Sequence, residues 1–219
     1  LALSSGLVPA PILPELDGAL FDTFQWYKAC REIPVDCILF TDGSLLDNKL
    51  PKQCHALGWA FAVIDVNGIL VAAAHGVPPK WVDTIQGAEL WAIQEALQHV
   101  HFPKRIWTDC MSVKLGLERP IEWAGSSKRR YARVWSVVRA GVDDTPGSVQ
   151  WMPAHTSESA IGQATGSDGT HISHDMWCSN QLCDALAKQS AETVRIPDSD
   201  RGQFLRKRDH VAETLIYLG

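Results

Sequence analysis

Nowhere in the chain do eighteen uncharged apolar residues run together, which excludes a membrane-crossing helix. The first sixteen residues lack a basic cluster and are broken by Pro9, Pro11 and Pro14, so they do not read as a secretory signal. Six cysteines (Cys30, Cys37, Cys54, Cys110, Cys178, Cys183) include no C-x-x-C pair and no compact framework. Several lie inside apolar runs, as small buried hydrophobes do, which points to a reducing, intracellular setting, cytoplasmic or nuclear. Internal repeats and low-complexity tracts are absent. The first residue is not methionine, which is the expectation for a processed piece of something longer. Positive charge is not in excess either: Lys and Arg number 20 against 25 Asp and Glu, a net charge of −5. That balance argues against a nucleic-acid partner until its distribution is considered. Between Gly125 and Gly141 stand Lys128, Arg129, Arg130, Arg133 and Arg139 with no acid among them.

What is present fits one well-buried domain with appendages: 219 residues, 46% hydrophobic and 21% charged. Residues 1–34 read as an irregular, proline-punctuated leader with an aromatic patch at Phe21, Phe24, Trp26 and Tyr27. That patch is expected to pack on the domain or on a neighbour. A domain over 35–195 follows, then a polar, basic tail over 196–219. Cys37 to Thr41 is apolar on both faces, as in a central strand. Leu57 to Val63 and Ile69 to Ala74 flank an Asn-Gly turn signal and read as a hairpin. A helix follows Pro78 and Pro79, with Leu90, Ile93, Leu97 and Val100 as its apolar stripe and Glu89 at the stripe's border. Short strands are expected over Arg105 to Thr108 and Val149 to Met152. Helices are expected over Lys128 to Ala140 and from about Ser179, where Asn180 and Asp184 lie one turn apart on one face.

Four carboxylates then fall into the order strand, helix, strand, helix: Asp42, Glu89, Asp109 and Asp184. Singly, each is an ordinary turn or helix residue. Together, if the strands ending at Asp42 and Asp109 are parallel neighbours, they converge at one sheet edge. Converging carboxylates repel unless cations lie between them. Oxygen-only ligation suits a hard ion such as Mg²⁺, and a closely spaced pair of such ions can clamp a phosphodiester during in-line displacement. Two divalent ions would also bring the net charge close to zero.

These segments resemble the ribonuclease H family, type 1, including the domains attached to reverse transcriptases. Thr41-Asp-Gly-Ser44 resembles its first-strand motif, Gln86-Gly-Ala-Glu-Leu90 its first-helix motif, Thr108-Asp109 its fourth-strand motif and Asn180-Gln-Leu-Cys-Asp-Ala-Leu-Ala187 its last-helix motif. Ala154-His155 matches the position of its mobile histidine. The resemblance covers about residues 35–192. It implies an α/β fold with a mixed five-stranded sheet, order 3-2-1-4-5, flanked by helices. It further implies hydrolysis of the RNA strand of RNA–DNA hybrids by two Mg²⁺ ions, with Mn²⁺ as substitute, leaving 5′-phosphate and 3′-hydroxyl ends. Asp42, Glu89, Asp109 and Asp184 would be the metal ligands and His155 the proton-moving group. Gly43, Ser44, Gln86 and Asn180 would contact the nucleic acid, because only the 2′-hydroxyl separates RNA from DNA in the minor groove. A reverse transcriptase domain in the same retroelement polyprotein would be a further partner, and a membrane would not. Two departures stand out. His155 and Asp184 are separated by a Gly/Ser/Thr-rich insert longer than the family's usual loop, and Met111 replaces the glutamine often found after the third acid. A catalytically silent domain that binds hybrid or a partner subunit is the competing reading, with a DNA nuclease or integrase of the same fold beside it.

Two weaker signals remain. Lys128, Arg129, Arg130 and Arg133 could grip phosphates, with Trp123 or Tyr131 stacking nearby, or they could form a solvated helix face. His171, His174, Cys178 and Cys183 could be read as a zinc cluster, though their spacing matches no well-known site.

Overall fold

Strand alternation with both faces apolar is what organises the molecule. The computed structural model describes residues 13–101, 103–142 and 148–218. Pro9 and Pro11 of the leader lie outside the described residues, as does Gly219 at the end of the tail. The described elements are β1 (Gln25–Lys28), β2 (Ile38–Leu46), β3 (Ala56–Ile64), β4 (Leu70–Gly76), α1 (Ile85–His99), β5 (Arg105–Thr108), α2 (Met111–Leu117), α3 (Ile121–Ala124), α4 (Ala132–Gly141), β6 (Val149–Trp151), α5 (His174–Thr193) and α6 (Asp198–Leu218).

The strands form one mixed sheet in the order β1-β4-β3-β2-β5-β6. Its last five strands have the arrangement expected from the sequence. The sixth comes from the leader, which reads as irregular from sequence alone. Trp26 pairs with Ala74 across the β1–β4 edge, and Phe24 and Trp26 pack their rings on Phe61 at 6.3 and 5.9 Å. Tyr27 stays exposed.

Along β3, Trp59, Phe61 and Val63 face the layer of α1 and α4, where they join Leu90, Ile93 and Trp135. Ala60, Ala62 and Ile64 face α5 with Phe40, Trp107, Cys183 and Leu186. Small residues on the second face let α5 lie close to the sheet. The approach is tightest at Gly58, where a Cβ would stand 2.0 Å from the Ala187 carbonyl oxygen and 2.6 Å from the Ala191 nitrogen.

Several boundaries differ from the sequence-based expectation for local reasons. Strand β2 continues through Asp42 to Leu46, because its pairing with β3 runs on to Leu46↔Ala56. Helix α4 starts at Ala132 and not at Lys128, since Tyr131 adopts a left-handed conformation (φ 62°) that cannot continue a helix backwards. Its hydroxyl lies 3.1 Å from the Asp83 nitrogen and 3.1 Å from Thr84 Oγ1, and donates to Asp83 Oδ1 at 2.7 Å. Helix α5 begins at His174, five residues earlier than expected, because the Ser173 hydroxyl accepts a capping bond from the Met176 nitrogen. The tail is helical, as α6.

The insert before α5 is fastened to the sheet. Ser167 Oγ accepts from the Trp151 nitrogen at 2.9 Å and donates to Gln150 Oε1 at 2.6 Å, and Asp168 pairs with Arg105 at 2.5 Å. Serine thereby occupies hydrogen-bonding groups of edge strand β6.

Candidate active site

Parallel pairing of β2 with β5 sets the geometry of the site. Thr41 is registered against Thr108, so Asp42, the next residue of β2, lies beside Asp109, the residue that follows β5. Glu89 reaches the same point from α1, whose N-terminus is capped by Thr84 Oγ1 accepting from the Gly87 nitrogen at 3.1 Å. The close seating of α1 depends on Gly43, where a Cβ would lie 2.6 Å from the Glu89 nitrogen. The Trp151 indole donates to the Asp109 carbonyl at 2.8 Å and steadies the third acid from β6.

Ligand oxygens of Asp42, Glu89 and Asp109 all lie within 4.8 Å of one another. Asp42 and Glu89 are 4% and 3% exposed, so the repulsion is not relieved by water. Burial, reinforced by the Asp109 and Asp184 carboxylates, raises the Asp42 carboxyl well above its ordinary range. Burial again, with Asp42 and Asp109 adding to it, does the same to Glu89. Asp109 is raised as well, mainly by burial, with His155 and Glu89 partly offsetting the effect.

Asp42 Oδ2 and Glu89 Oε2 are buried without a hydrogen-bond partner. An orphaned pair of carboxylate oxygens in an all-oxygen cluster is the arrangement that a hard divalent cation completes. The residues present fit such a group.

Asp184 is not part of the tight trio. It lies in the middle of α5, on the wall of the same cleft, and pairs with Lys188 Nζ at 2.7 Å. The cleft has a volume of about 300 Å³ and is also lined by Gly43, Ser44, Asn48, Ile85 and His155. His155 is exposed there and held at φ 49° in the loop after β6. Gln86 is half-buried in the first turn of α1, where Ile85 is the residue that lines the cleft. Asn180 is buried one turn before Asp184, and its Oδ1 has no partner.

The basic segment divides. Arg129 stacks on the Trp123 ring at 3.0 Å from its centroid and donates to the Trp123 carbonyl. Arg130 pairs with Asp83, which also takes Lys52. Lys128 and Arg133 are exposed and have no ion pair among the described residues. Through Asp83 and Tyr131 this segment is tied to the N-terminus of α1, next to Ile85.

The zinc reading fails on geometry. Cys183 points into the core with Sγ 3.5 Å from the Phe40 carbonyl, whereas Cys178 is exposed beside His174. Five positions on a helix turn through about 500°, so the two thiols leave α5 in different directions. Among the described residues, Asp42, Glu89 and Asp109 are the group able to hold a metal ion.

Lys188 and Asn48 were missed in the sequence. Lys188 was legible as the i+4 partner of Asp184 on one helix face. Asn48 gave no local signal.

The family model described as RNase H matches residues 34–192. A search of curated proteins returns no match. Among solved structures, the chain is similar to the foamy viral protease–reverse transcriptase in complex with an RNA/DNA hybrid. That match has 18% identity and a TM-score of 0.53, covering 77% of this chain and 22% of that one. A mutant of the prototype foamy virus protease–reverse transcriptase gives 16% identity and a TM-score of 0.50, covering 74% and 22%. This chain thus spans about a fifth of the length of those polypeptides, and at such identities the likeness is one of fold. No helix among the described residues is long and apolar enough to cross a membrane.

Proposed function

The chain belongs to the ribonuclease H family, and from that premise we propose that it hydrolyses the RNA strand of RNA–DNA hybrids, leaving 5′-phosphate and 3′-hydroxyl ends. The observation that carries this reading is the trio Asp42, Glu89 and Asp109, whose buried oxygens include two with no partner in the protein. A silent domain would have no use for so costly a cluster.

Asp42, Glu89 and Asp109 would hold Mg²⁺, or Mn²⁺ as substitute, with Asp184 adding a carboxylate from the cleft wall. When bound, a pair of such ions supplies an activated water and stabilises charge on the departing 3′ oxygen. The protein's own part is positional. Gly43 lets α1 and β2 meet, so that Glu89 and Asp42 present their oxygens to one point. Gly43, Ser44 and the first turn of α1, with Gln86, are disposed to meet 2′-hydroxyls across the minor groove. His155 sits on the exposed rim, where a proton can pass to and from solvent. Lys128 and Arg133 offer unpaired charge for the phosphates of the DNA strand, while Arg129 and Arg130 shape the segment that carries them. We also take residues 35–195 as the nuclease domain, to whose sheet the leader adds β1 and on which α6 of the tail packs, and we place it in a larger retroelement polypeptide with a reverse transcriptase. The two viral relatives support that context.

The test is cleavage of a labelled RNA–DNA hybrid with Mg²⁺, comparing the native chain with Asp42→Asn. We expect cleavage of the RNA strand by the native chain. In the variant we expect a loss of roughly 10²-fold or more, the scale seen when transition-state charge stabilisation is removed. Binding without cleavage by a correctly folded native chain would favour the silent-domain reading. Cleavage of duplex DNA in place of hybrid would favour a DNA nuclease.

A further inference from the structure

The turn that leaves β2 is held by residues beyond those the family model matches. Asp47 follows Leu46 in a left-handed conformation (φ 59°). That backbone suits glycine better than a residue with a side chain, so what the position provides is the carboxylate. The carboxylate is largely enclosed. It accepts from Arg195 Nε at 2.9 Å and Nη2 at 3.0 Å, and it pairs with Arg201 as well. Arg195 joins α5 to α6, and Arg201, itself 7% exposed, lies in the first turn of α6 and also pairs with Asp198. The planar fork of Arg195, joined by one arm of Arg201 whose other arm holds Asp198, fixes the carboxylate's direction as well as its distance. Leu46 packs against the small apolar cluster of Ala56, Val77 and Val194. Leu45, Leu46 and Asn48 line the cleft that holds Asp42, Glu89 and Asp109.

Resting on the hybrid-cleaving reading above, we propose that Asp47, Arg195 and Arg201 form a positioning clasp through which the segment after residue 192 fixes the Leu45–Asn48 wall of the cleft and thereby sets affinity for the hybrid. None of the three touches the carboxylate trio. They act on substrate binding through the wall, not on the chemical step. Helix α6 is therefore part of the working nuclease: whatever loosens its first turn loosens the wall.

The experiment uses the full 219-residue chain and the variants Arg201→Met, Asp47→Gly and Arg201→Lys. Steady-state cleavage of a labelled hybrid in Mg²⁺ is paired with amide hydrogen exchange over residues 44–50. Arg201→Met and Asp47→Gly are expected to raise KM about fivefold, the net worth of one ordinary hydrogen bond, because the wall loosens without being lost, while kcat stays within about twofold. Exchange over 44–50 should quicken in both, while exchange in α1 stays unchanged. Arg201→Lys should recover part of the loss. Unchanged KM with unchanged exchange would overturn the proposal, and so would a fall in kcat and thermal midpoint at constant KM, the mark of a merely structural tie. If the native chain neither cleaves nor binds hybrid, the functional reading fails on its own. Exchange over 44–50 still decides whether the clasp orders the wall.

Discussion

Asp42 and Glu89 are carboxylic acids placed where water cannot help them, and their protonation is linked to folding. Burial and mutual repulsion raise both above the ordinary carboxylate range near 4. A raised acid binds its proton more tightly in the folded chain than in the unfolded one. In the metal-free protein the stability is therefore full below the unfolded pKa and is lost as pH rises towards the higher folded values. The expected outcome is a metal-free melting midpoint that falls from pH 5 to pH 8, and a Mg²⁺-induced gain that is larger at pH 8. Glu89→Gln should flatten both trends and raise the metal-free midpoint at pH 8, by about 2–4 °C for each kcal/mol recovered in a domain of this size. Scanning calorimetry at the two pH values, with and without Mg²⁺, checks it; a metal-free midpoint independent of pH would contradict it. These acids were legible in the sequence because each lies inside a short local motif. The left-handed Tyr131 was not, since its conformation is secured by Asp83 and Thr84, nearly fifty positions away.

Among the elements, α5 has the most demanding fit. It carries Asp184 to the cleft while its backbone touches β3 at Gly58. Gly58→Ala should lift the helix from the sheet at a cost of about 1–3 kcal/mol, as overpacked cores show, and reduce hybrid cleavage with it. Paired denaturation and cleavage assays check this. Stability equal to the native chain would mean that the helix shifts freely. The helical stripe of α1 and the alternation of β3 were readable because their periods are local. Strand β1 and the fastened insert were not. Pairing of Trp26 with Ala74, and of Ser167 with the Trp151 nitrogen, joins residues whose partnership no local pattern announces.

For the molecule as a whole, charge is arranged against its sum. The net charge is −5, yet Lys128 and Arg133 stand exposed on the segment that Arg130 and Tyr131 tie to the start of α1. The Lys128→Ala/Arg133→Ala double variant should weaken hybrid binding and make its salt dependence shallower, by about one unit of slope for each phosphate that is no longer neutralised. Fluorescence anisotropy across a salt series measures it, and an unchanged slope would assign these residues to solvent. From the sequence, four basic residues were equivalent candidates. Folding separates them, because Asp83 and Trp123, which engage Arg130 and Arg129, are brought to the segment only by tertiary packing and a tight turn.

The alanine-lined face of β3 waits for a helix that ribosomes deliver late. Until residues 174–193 emerge, Ala60, Ala62 and Phe40 have no cover, and the cleft lacks Asp184 and Lys188. A nascent polypeptide halted before that point would be sticky and would lack two of the side chains that line the cleft. Under the proposed hybrid-cleaving role, competence would arrive only once nearly the whole domain has been translated.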